Sequence, residues 1–379
     1  MNYKFETKAI HKGQEPDKET GAIIPPIHLS STFIQDGVGN HRGFEYSRTN
    51  NPTRSRLEEQ IASLEGAKHG IAFSSGSAAT STVQLMLKSN DHIICGDDVY
   101  GGTYRFFDKV MTRFGLNYDF VDLTNAENLR IKITEKTKLL WLESPTNPLL
   151  KISDLRSLSE IASDNNIMTI VDNTFASPFL QNPLELGADL VVHSSTKYLG
   201  GHSDLVGGIV LTNNDEYAEK LRFLQNATGA IPSPFDCWLL SRGVKTLALR
   251  MRQHSENASR IAQYLSEQDP VKRVYYPFLD THPNVDIAKG QMKMGGGMVS
   301  FDLESKHHAF EFLKNVKIFS LAESLGGVES LAEYPPEMTH GSIEPEIRKK
   351  IGINDGLVRL SVGIENIDDL LDDISHAMR

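Results

Sequence analysis

The most regular feature of the chain is an alternation of short apolar runs with stretches of helical spacing between residues 70 and about 225. Consecutive, mostly apolar residues occur at 71–73, 92–95, 139–142, 168–171 and 189–193. Short strands that are apolar throughout are typical of a parallel sheet that helices cover on both faces. The pattern therefore predicts an α/β fold with a mostly parallel central sheet.

The pattern changes on both sides of this region. Residues 1–48 show no sustained period and include Pro25 and Pro26, which is unusual in a compact protein unless the segment packs on another subunit. From residue 248 on, an alternating strand at 358–362 and an amphipathic final helix predict a smaller, more antiparallel part. We therefore predict an N-terminal arm at 1–48, a main domain at 49–247 and a C-terminal α/β domain at 248–379.

Composition narrows the class of protein. The 379 residues are 39% hydrophobic, which is enough for a large core. The net charge of −10, with both signs mixed along the chain, argues against nucleic acid and anionic membranes as partners. The two cysteines show no disulfide or metal-ligand spacing, and neither a signal-peptide core nor an 18-residue apolar run is present. We expect a cytoplasmic protein without a metal site.

Lys197 is the first candidate for chemistry. It follows the apolar run at 189–193 and lies beside the hydroxyls of Ser194 and Thr196. Burial lowers the pKa of a lysine and makes its amine a nucleophile toward carbonyls, while neighbouring hydroxyls can bind a phosphate. This combination predicts pyridoxal phosphate (PLP) held by Lys197 as a Schiff base. The alternative interpretation is an ordinary surface lysine after a strand.

Asp172 ends the preceding apolar run, 25 residues before Lys197. One strand–helix–strand crossover fits that spacing, and right-handed crossovers bring consecutive strand ends to the same edge of the sheet, where ligands bind. A carboxylate there can pair with a protonated pyridine nitrogen and strengthen the electron-withdrawing character of the ring. The alternative is an aspartate that caps the following turn.

Three further features have both a functional and a structural interpretation. The turn at 74–77 opens a helix, and its amides can bind an anion or be capped by serine. Tyr100, beside Gly101 and Gly102, can stack on a planar ring or fill the core. Arg359, in an alternating strand, can bind a carboxylate with two hydrogen bonds or pair with a protein acid.

Several short motifs together resemble the Cys/Met-metabolism family of PLP enzymes, the cystathionine γ-synthase and γ-lyase group. The resemblance covers nearly the whole chain. Its motifs are EYSR at 45–48, NPT at 51–53, YGGT at 100–103, PTNP at 145–148, VDNT at 171–174, STKY at 195–198, AESLGG at 322–327 and RLSVG at 359–363. The resemblance implies the PLP-dependent aminotransferase-like fold (fold type I).

The resemblance also implies roles for individual residues. Lys197 would hold the cofactor and move protons, Asp172 would pair with its ring nitrogen, and Tyr100 would stack on the ring. The residues implied for the phosphate are Gly76, Ser77, Ser194 and Thr196, together with Tyr46 and Arg48 of the neighbouring subunit. Those implied for the substrate are Asn147, Glu323, Ser324 and Arg359. We therefore expect a homotetramer, a dimer of dimers with active sites shared across subunits, acting on small sulfur amino acids.

Two positions bear on the reaction within the family. Glu323 is typical of γ-lyases and γ-synthases, and Gly102 replaces the cysteine expected in methionine γ-lyases. The expected reaction is γ-elimination on cystathionine to cysteine, 2-oxobutanoate and ammonia. Alternatives within the family are γ-replacement on O-acylhomoserine by a cystathionine γ-synthase and cleavage by a cystathionine β-lyase. Outside it are an inactive protein of the same fold and a nicotinamide-dependent oxidoreductase, for which the phosphate-binding turn is missing.

Overall fold

The structure, a computed structural model, describes residues 3–379. Its strands are β1 Gln35–Gly37, β2 Asn40–His41, β3 His69–Phe73, β4 His92–Gly96, β5 Asn117–Val121, β6 Thr137–Glu143, β7 Met168–Asp172, β8 Leu190–Ser194, β9 Gly208–Thr212, β10 Val271–Tyr275, β11 Met298–Leu303, β12 Ser320–Leu321, β13 Leu331–Glu333 and β14 Leu357–Ser361. Its α-helices are α1 Phe5–His11, α2 Pro52–Glu65, α3 Gly76–Gln84, α4 Gly101–Lys109, α5 Ala126–Lys132, α6 Leu155–Asp164, α7 Ser177–Leu180, α8 Asp215–Thr228, α9 Pro234–Val244, α10 Leu247–Ser266, α11 Val285–Gln291, α12 Lys306–Asn315, α13 Pro345–Ile351 and α14 Ile367–Ala377.

A seven-stranded sheet in the order β3-β9-β8-β7-β6-β4-β5 forms the central layer. Only β9 runs against its neighbours, so the sheet is mostly parallel, as predicted. Its central strands, such as β6, β8 and β9, are mostly apolar because helices cover both faces, whereas the edge strand β5 contains Asn117 and Asp119. In β6, the Trp141 ring packs edge-on at 5.3 Å from Phe107 of α4, whereas Leu142 lies in the opposite core with Leu158 of α6.

A second, five-stranded sheet follows in the order β10-β11-β14-β13-β12 and is antiparallel except between β12 and β13. Its core includes Phe301 of β11 and Val358 of β14. Helix α14 buries Leu370 and Ile374, one turn apart, as its amphipathic sequence indicates. No helix within residues 3–379 is both long and apolar enough to cross a membrane.

The N-terminal segment contains more regular structure than its sequence pattern indicates. Helix α1 buries Ala9, and the Phe5 ring packs at 5.3 Å from the Phe179 ring of the main body. A helix of seven residues has too few turns to show a period, and contacts with distant residues stabilise it. Within the described residues, the short strands β1 and β2 pair with each other and with no other strand, and both are exposed.

The end of the N-terminal segment is held by one buried arginine at the start of α2. Arg54 donates from Nη1 to the carbonyl of Ser47 at 2.8 Å, and from Nη2 to the carbonyls of Arg48 at 3.3 Å and Thr49 at 2.9 Å. Its Nε lies 3.8 Å from Glu58 Oε1. Because the guanidinium satisfies three consecutive carbonyls, the path of residues 47–49 depends on it.

Replacing Arg54 should therefore loosen this part of the chain. Arg54→Met keeps much of the side-chain volume and removes every donor, and we expect it to lower the free energy of unfolding by about 1–3 kcal/mol. Urea denaturation measures this change, and limited proteolysis should show faster cleavage before residue 52. Arg113→Met, at an exposed arginine, is the matched control. Equal stability and equal cleavage in the two variants would contradict the prediction.

Candidate active site

A cavity of about 690 Å³ lies where the carboxyl ends of β6, β7 and β8 meet the start of α3 and α4. This is the edge at which open α/β sheets bind ligands. The C-terminal sheet contributes β14 to its wall. The predicted site residues that line it are Gly76, Ser77, Tyr100, Asn147, Asp172, Ser194, Thr196, Lys197, Glu323, Ser324 and Arg359. The fold thus gathers in one cavity residues that lie more than 280 positions apart in sequence.

Lys197 lies in the turn after β8, and its Nζ donates a hydrogen bond to Ser324 Oγ at 2.6 Å. Burial, and secondly the positive charge of Arg359, lower the pKa of Lys197 to about 8, against the opposing effect of two glutamates. At pH 7 about one tenth of the amine is therefore neutral, compared with fewer than about one in a thousand for a lysine of ordinary pKa. Ser324 has a φ of 90°, which is unusual for a residue other than glycine.

Asp172 ends β7 and lines the cavity. Its Oδ1 accepts hydrogen bonds from Thr174 Oγ1 at 2.5 Å and from the Thr174 amide at 3.1 Å. Removal of water raises the pKa of Asp172, while the Thr174 hydrogen bonds and, to a smaller extent, His193 oppose that rise. The aspartate does cap the following turn, yet both hydrogen bonds go to one oxygen, which leaves the other available to a cationic ligand.

The first turn of α3 forms an anion cradle. The side chain of Ser75 caps the helix by accepting from the Ala78 amide at 3.0 Å, so the amides of Gly76 and Ser77 have no acceptor inside the helix. A Cβ on Gly76 would lie 2.8 Å from the Cβ of Ser194, so only glycine permits this close approach of α3 to β8. The predicted serine cap and the predicted anion site are therefore compatible.

Tyr100 precedes α4 and lines the cavity, and the residue is 42% exposed. The ring lies against the first turn of its own helix. A Cβ on Gly102 would therefore lie only 2.4 Å from Tyr100 Cε1. The Tyr100 amide donates to Glu143 Oε2 at 3.1 Å. Glu143 is not among the residues predicted from the sequence, although it ends β6 as Asp172 ends β7 and the two are partners in the sheet. Burial, reinforced by Asp172, raises the pKa of Glu143 well above its ordinary value.

Arg359 of β14 is 2% exposed and connects the two sheets. Its Nη1 donates to Asn147 Oδ1 at 2.7 Å, and its Nη2 donates to the carbonyl of Ser324 at 3.0 Å. The same Nη2 lies 2.8 Å from Glu333 Oε2. Among the described residues, the buried Nε has no hydrogen-bond partner. Arg359 thus forms an ion pair with a protein acid, and its Nε donor still lacks an acceptor.

Tyr46 and Arg48 lie outside this cavity in the described part of the chain. Both are exposed, and Arg48 Nη1 donates to the carbonyl of Asn226 at 2.6 Å, with its guanidinium 5.6 Å from the Tyr46 ring centre. Their predicted role concerns the site of a neighbouring subunit and stays a prediction.

Comparison with known proteins identifies the family of the chain. A family model described as "Cys/Met metabolism PLP-dependent enzyme" matches residues 6–379. The chain belongs to this family. The sequence motifs had indicated the same family, and its cofactor is pyridoxal 5′-phosphate.

Similar proteins carry three activity names. A protein of Lactococcus lactis subsp. cremoris (strain MG1363) named cystathionine beta-lyase is 54% identical over 374 residues, 99% of this chain and 98% of the relative. One of Dictyostelium discoideum named cystathionine gamma-lyase is 53% identical over 379 residues, 100% and 98% of the two chains. One of Herpetosiphon aurantiacus, named probable cystathionine gamma-synthase, is 56% identical over 304 residues, which cover 80% of this chain and 95% of the relative.

A solved structure agrees with this assignment. The cystathionine gamma-lyase from Lactobacillus plantarum complexed with L-serine superposes with a TM-score of 0.97 at 48% identity, covering 99% of this chain and 98% of that one. The predicted fold type I is confirmed, and the protein is a PLP-dependent carbon–sulfur lyase. The alternative of a nicotinamide-dependent oxidoreductase is therefore rejected.

The cavity of this family member fits PLP by its chemistry. An anion cradle at the start of α3, a carboxyl at the end of β7 and a lysine of lowered pKa after β8 surround one space. These groups match a phosphate, a ring nitrogen that gains a proton, and an aldehyde, respectively. An aromatic ring from Tyr100 borders the same space.

The lowered pKa of Lys197 predicts how the cofactor-free protein captures PLP. The rate of capture should rise with pH around a midpoint of about 8, because the neutral amine is the nucleophile. Stopped-flow absorbance between pH 6 and 10 measures this rate. Arg359→Gln removes a cation and should raise the midpoint, whereas Glu323→Gln removes an anion and should lower it.

All three proteins react with the same reagent, so the reagent's own ionisation cancels in the comparison. Midpoints that coincide for the parent and both variants would show that the neighbouring charges do not control the Lys197 amine.

Proposed function

We propose that the protein cleaves the Cγ–S bond of cystathionine to cysteine, 2-oxobutanoate and ammonia. The observation that supports this most is the meeting, in one cavity, of Lys197, Arg359 and Glu323. A lysine can move protons, a buried arginine can bind an α-carboxylate, and an acid on the surface of the cavity can meet the ammonium group at the far end of cystathionine. Similarity to the Dictyostelium protein named cystathionine gamma-lyase supports the same reaction.

The cofactor-binding roles are part of the proposal. Asp172 would pair with the ring nitrogen, Tyr100 would stack on the ring and Lys197 would hold the cofactor covalently. The phosphate would lie among Gly76, Ser77, Ser194 and Thr196. When bound, pyridoxal phosphate supplies an electron sink that stabilises negative charge at the substrate α-carbon.

The protein side chains would then direct the proton transfers. Arg359 and Asn147 hold the α-carboxylate, which orients the Cα–H bond toward Lys197. Lys197 Nζ, held by Ser324 Oγ at 2.6 Å, takes the proton from Cα and afterwards moves the proton at Cβ. The Tyr100 hydroxyl would donate a proton to the departing sulfur. Glu323 holds the distal part of the substrate so that Cγ, rather than Cβ, carries the bond that breaks.

β-Cleavage is the second candidate, because the similar Lactococcus protein is named cystathionine beta-lyase. Product analysis with L-cystathionine separates the two reactions. We expect cysteine and 2-oxobutanoate in equal amounts, detected by chromatography. The Lys197→Ala variant, once circular dichroism has shown that it is folded, should give no products. Homocysteine and pyruvate would overturn γ-cleavage in favour of β-cleavage, and equal turnover by Lys197→Ala would refute the role of the lysine.

A shared active site in a homotetramer is also proposed. The N-terminal segment leaves large apolar side chains exposed: Ile23 at 75%, Leu29 at 69% and Ile34 at 84%. Such an apolar surface favours contact with a second copy of the chain. Arg48 and Tyr46 lie in the same segment, and Arg48 would add a charge-assisted contact to the phosphate of the neighbouring subunit. That contact is worth about 1.5–3 kcal/mol.

Subunit mixing tests this arrangement. Arg48→Ala should bind PLP roughly 10- to 150-fold more weakly, and Lys197→Ala should be inactive. In a hybrid dimer one of the two sites regains both residues, so random exchange should restore about one quarter of the parental activity. No recovery, with exchange shown by mass spectrometry, would place both residues in the site of one subunit.

A further inference from the structure

A buried glutamate lies directly behind the arginine of the cavity. Glu333 of β13 is the register partner of Arg359 of β14. Its Oε2 lies 2.8 Å from Arg359 Nη2, and the two side chains are 1% and 2% exposed. Within residues 3–379, Glu333 is outside the set that lines the cavity. A ligand in the cavity would therefore contact Arg359 directly, and Glu333 would affect the ligand through its ion pair with Arg359.

Other contacts fix the glutamate in place. Thr339, which lines the cavity, donates from Oγ1 to Glu333 Oε1 at 2.8 Å. Burial raises the pKa of Glu333, and Arg359 is the main opposing influence. The other charged groups that act on it are Glu323 and Lys197. A carboxyl this deep is stable as an anion only beside a cation, so the charges of Glu333 and Arg359 depend on each other.

This pairing changes how Arg359 can receive a ligand. Its Nη groups donate hydrogen bonds to Asn147 and Ser324, which orient the guanidinium. Glu333 Oε2 lies 2.8 Å from Nη2 as an ion-pair contact and has no hydrogen-bond partner among the described residues. Its positive charge is largely balanced before a substrate arrives. The buried Nε, without a partner among the described residues, still requires an acceptor. A carboxylate would thus be held chiefly by oriented hydrogen bonds, and repulsion from Glu333 would limit how tightly it stays bound.

We propose that Glu333 is a positioning residue that orients Arg359 and moderates its attraction for the α-carboxylate of amino-acid substrates and products. The proposal rests on the proposed role of Arg359 in carboxylate binding. It implies that the cavity selects free α-amino acids by geometry, while the anion behind the arginine promotes release after turnover. Removing the charge of Glu333 should therefore tighten carboxylate binding specifically.

Two small ligands isolate this effect. L-Alanine and L-alaninamide differ in their carboxyl group, and neither has a leaving group at Cβ, so the lyase cannot cleave them. Calorimetric titration of the holoenzyme gives the ratio of their affinities. Glu333→Gln keeps the shape and an acceptor for Arg359 but removes the charge. We expect this ratio to rise about tenfold in favour of L-alanine, because an anion close to the bound carboxylate is lost.

Two further variants serve as controls. Glu333→Asp keeps the charge, and the ratio should stay within about twofold of the parent value if charge is the cause. Glu365→Gln changes another glutamate, which accepts from the Ser330 amide at 2.7 Å and does not contact Arg359, and should leave the ratio unchanged. Thermal unfolding of each variant confirms that the protein measured is folded.

The outcomes separate the two proposals. An unchanged or lowered ratio in Glu333→Gln, or a tenfold rise in Glu333→Asp, overturns the role of Glu333 alone. If Glu333→Gln does not fold, a tenfold rise of the ratio in Glu333→Asp would still overturn the role of the Glu333 charge. If the parent itself shows no preference for L-alanine, Arg359 does not bind the carboxylate, and the proposed function of Arg359 fails together with the inference.

Discussion

The cavity depends on one buried contact between the two sheets, that of Arg359 with Asn147. Arg359 comes from the antiparallel C-terminal sheet, whereas Asn147 follows β6 of the central sheet, and their side chains meet at 2.7 Å. The guanidinium also reaches the Ser324 carbonyl, and Ser324 accepts from Lys197. A shift of one sheet relative to the other would therefore change the position of the carboxylate donor and of the amine at the same time.

Burial acts on the acids and the base of this cavity in opposite directions. It lowers the pKa of Lys197 and raises the pKa values of Asp172 and Glu143, because removing water disfavours each charged form. A neutral amine is what carbonyl chemistry needs, whereas an ionised Asp172 is what a protonated ring nitrogen needs. The hydrogen bonds from Thr174 favour that ionised form. Burial by itself therefore favours the neutral lysine that is needed. The ionised aspartate, in contrast, also needs hydrogen bonds and a cationic partner.

The sequence predicted the parts of the site that follow from local rules. Lys197 and Asp172 each come directly after an apolar strand, and the parallel crossover places them at one edge. Glu143 satisfies the same rule and could have been found. Glu333 could not, because its significance depends on the register between β13 and β14, which no local pattern specifies. Helix α1 was missed since its stability comes from contacts such as that between Phe5 and Phe179.

The positive φ of Ser324 has a consequence for how this chain can evolve. Glycine would adopt that backbone angle without strain, whereas serine there is disfavoured by about 1–3 kcal/mol. Glycine, however, lacks the hydroxyl that accepts from Lys197. A glycine at this position would thus give a more stable protein in which the Lys197 amine is less constrained. A stabilising substitution elsewhere in the fold would offset that cost and so help to retain the serine.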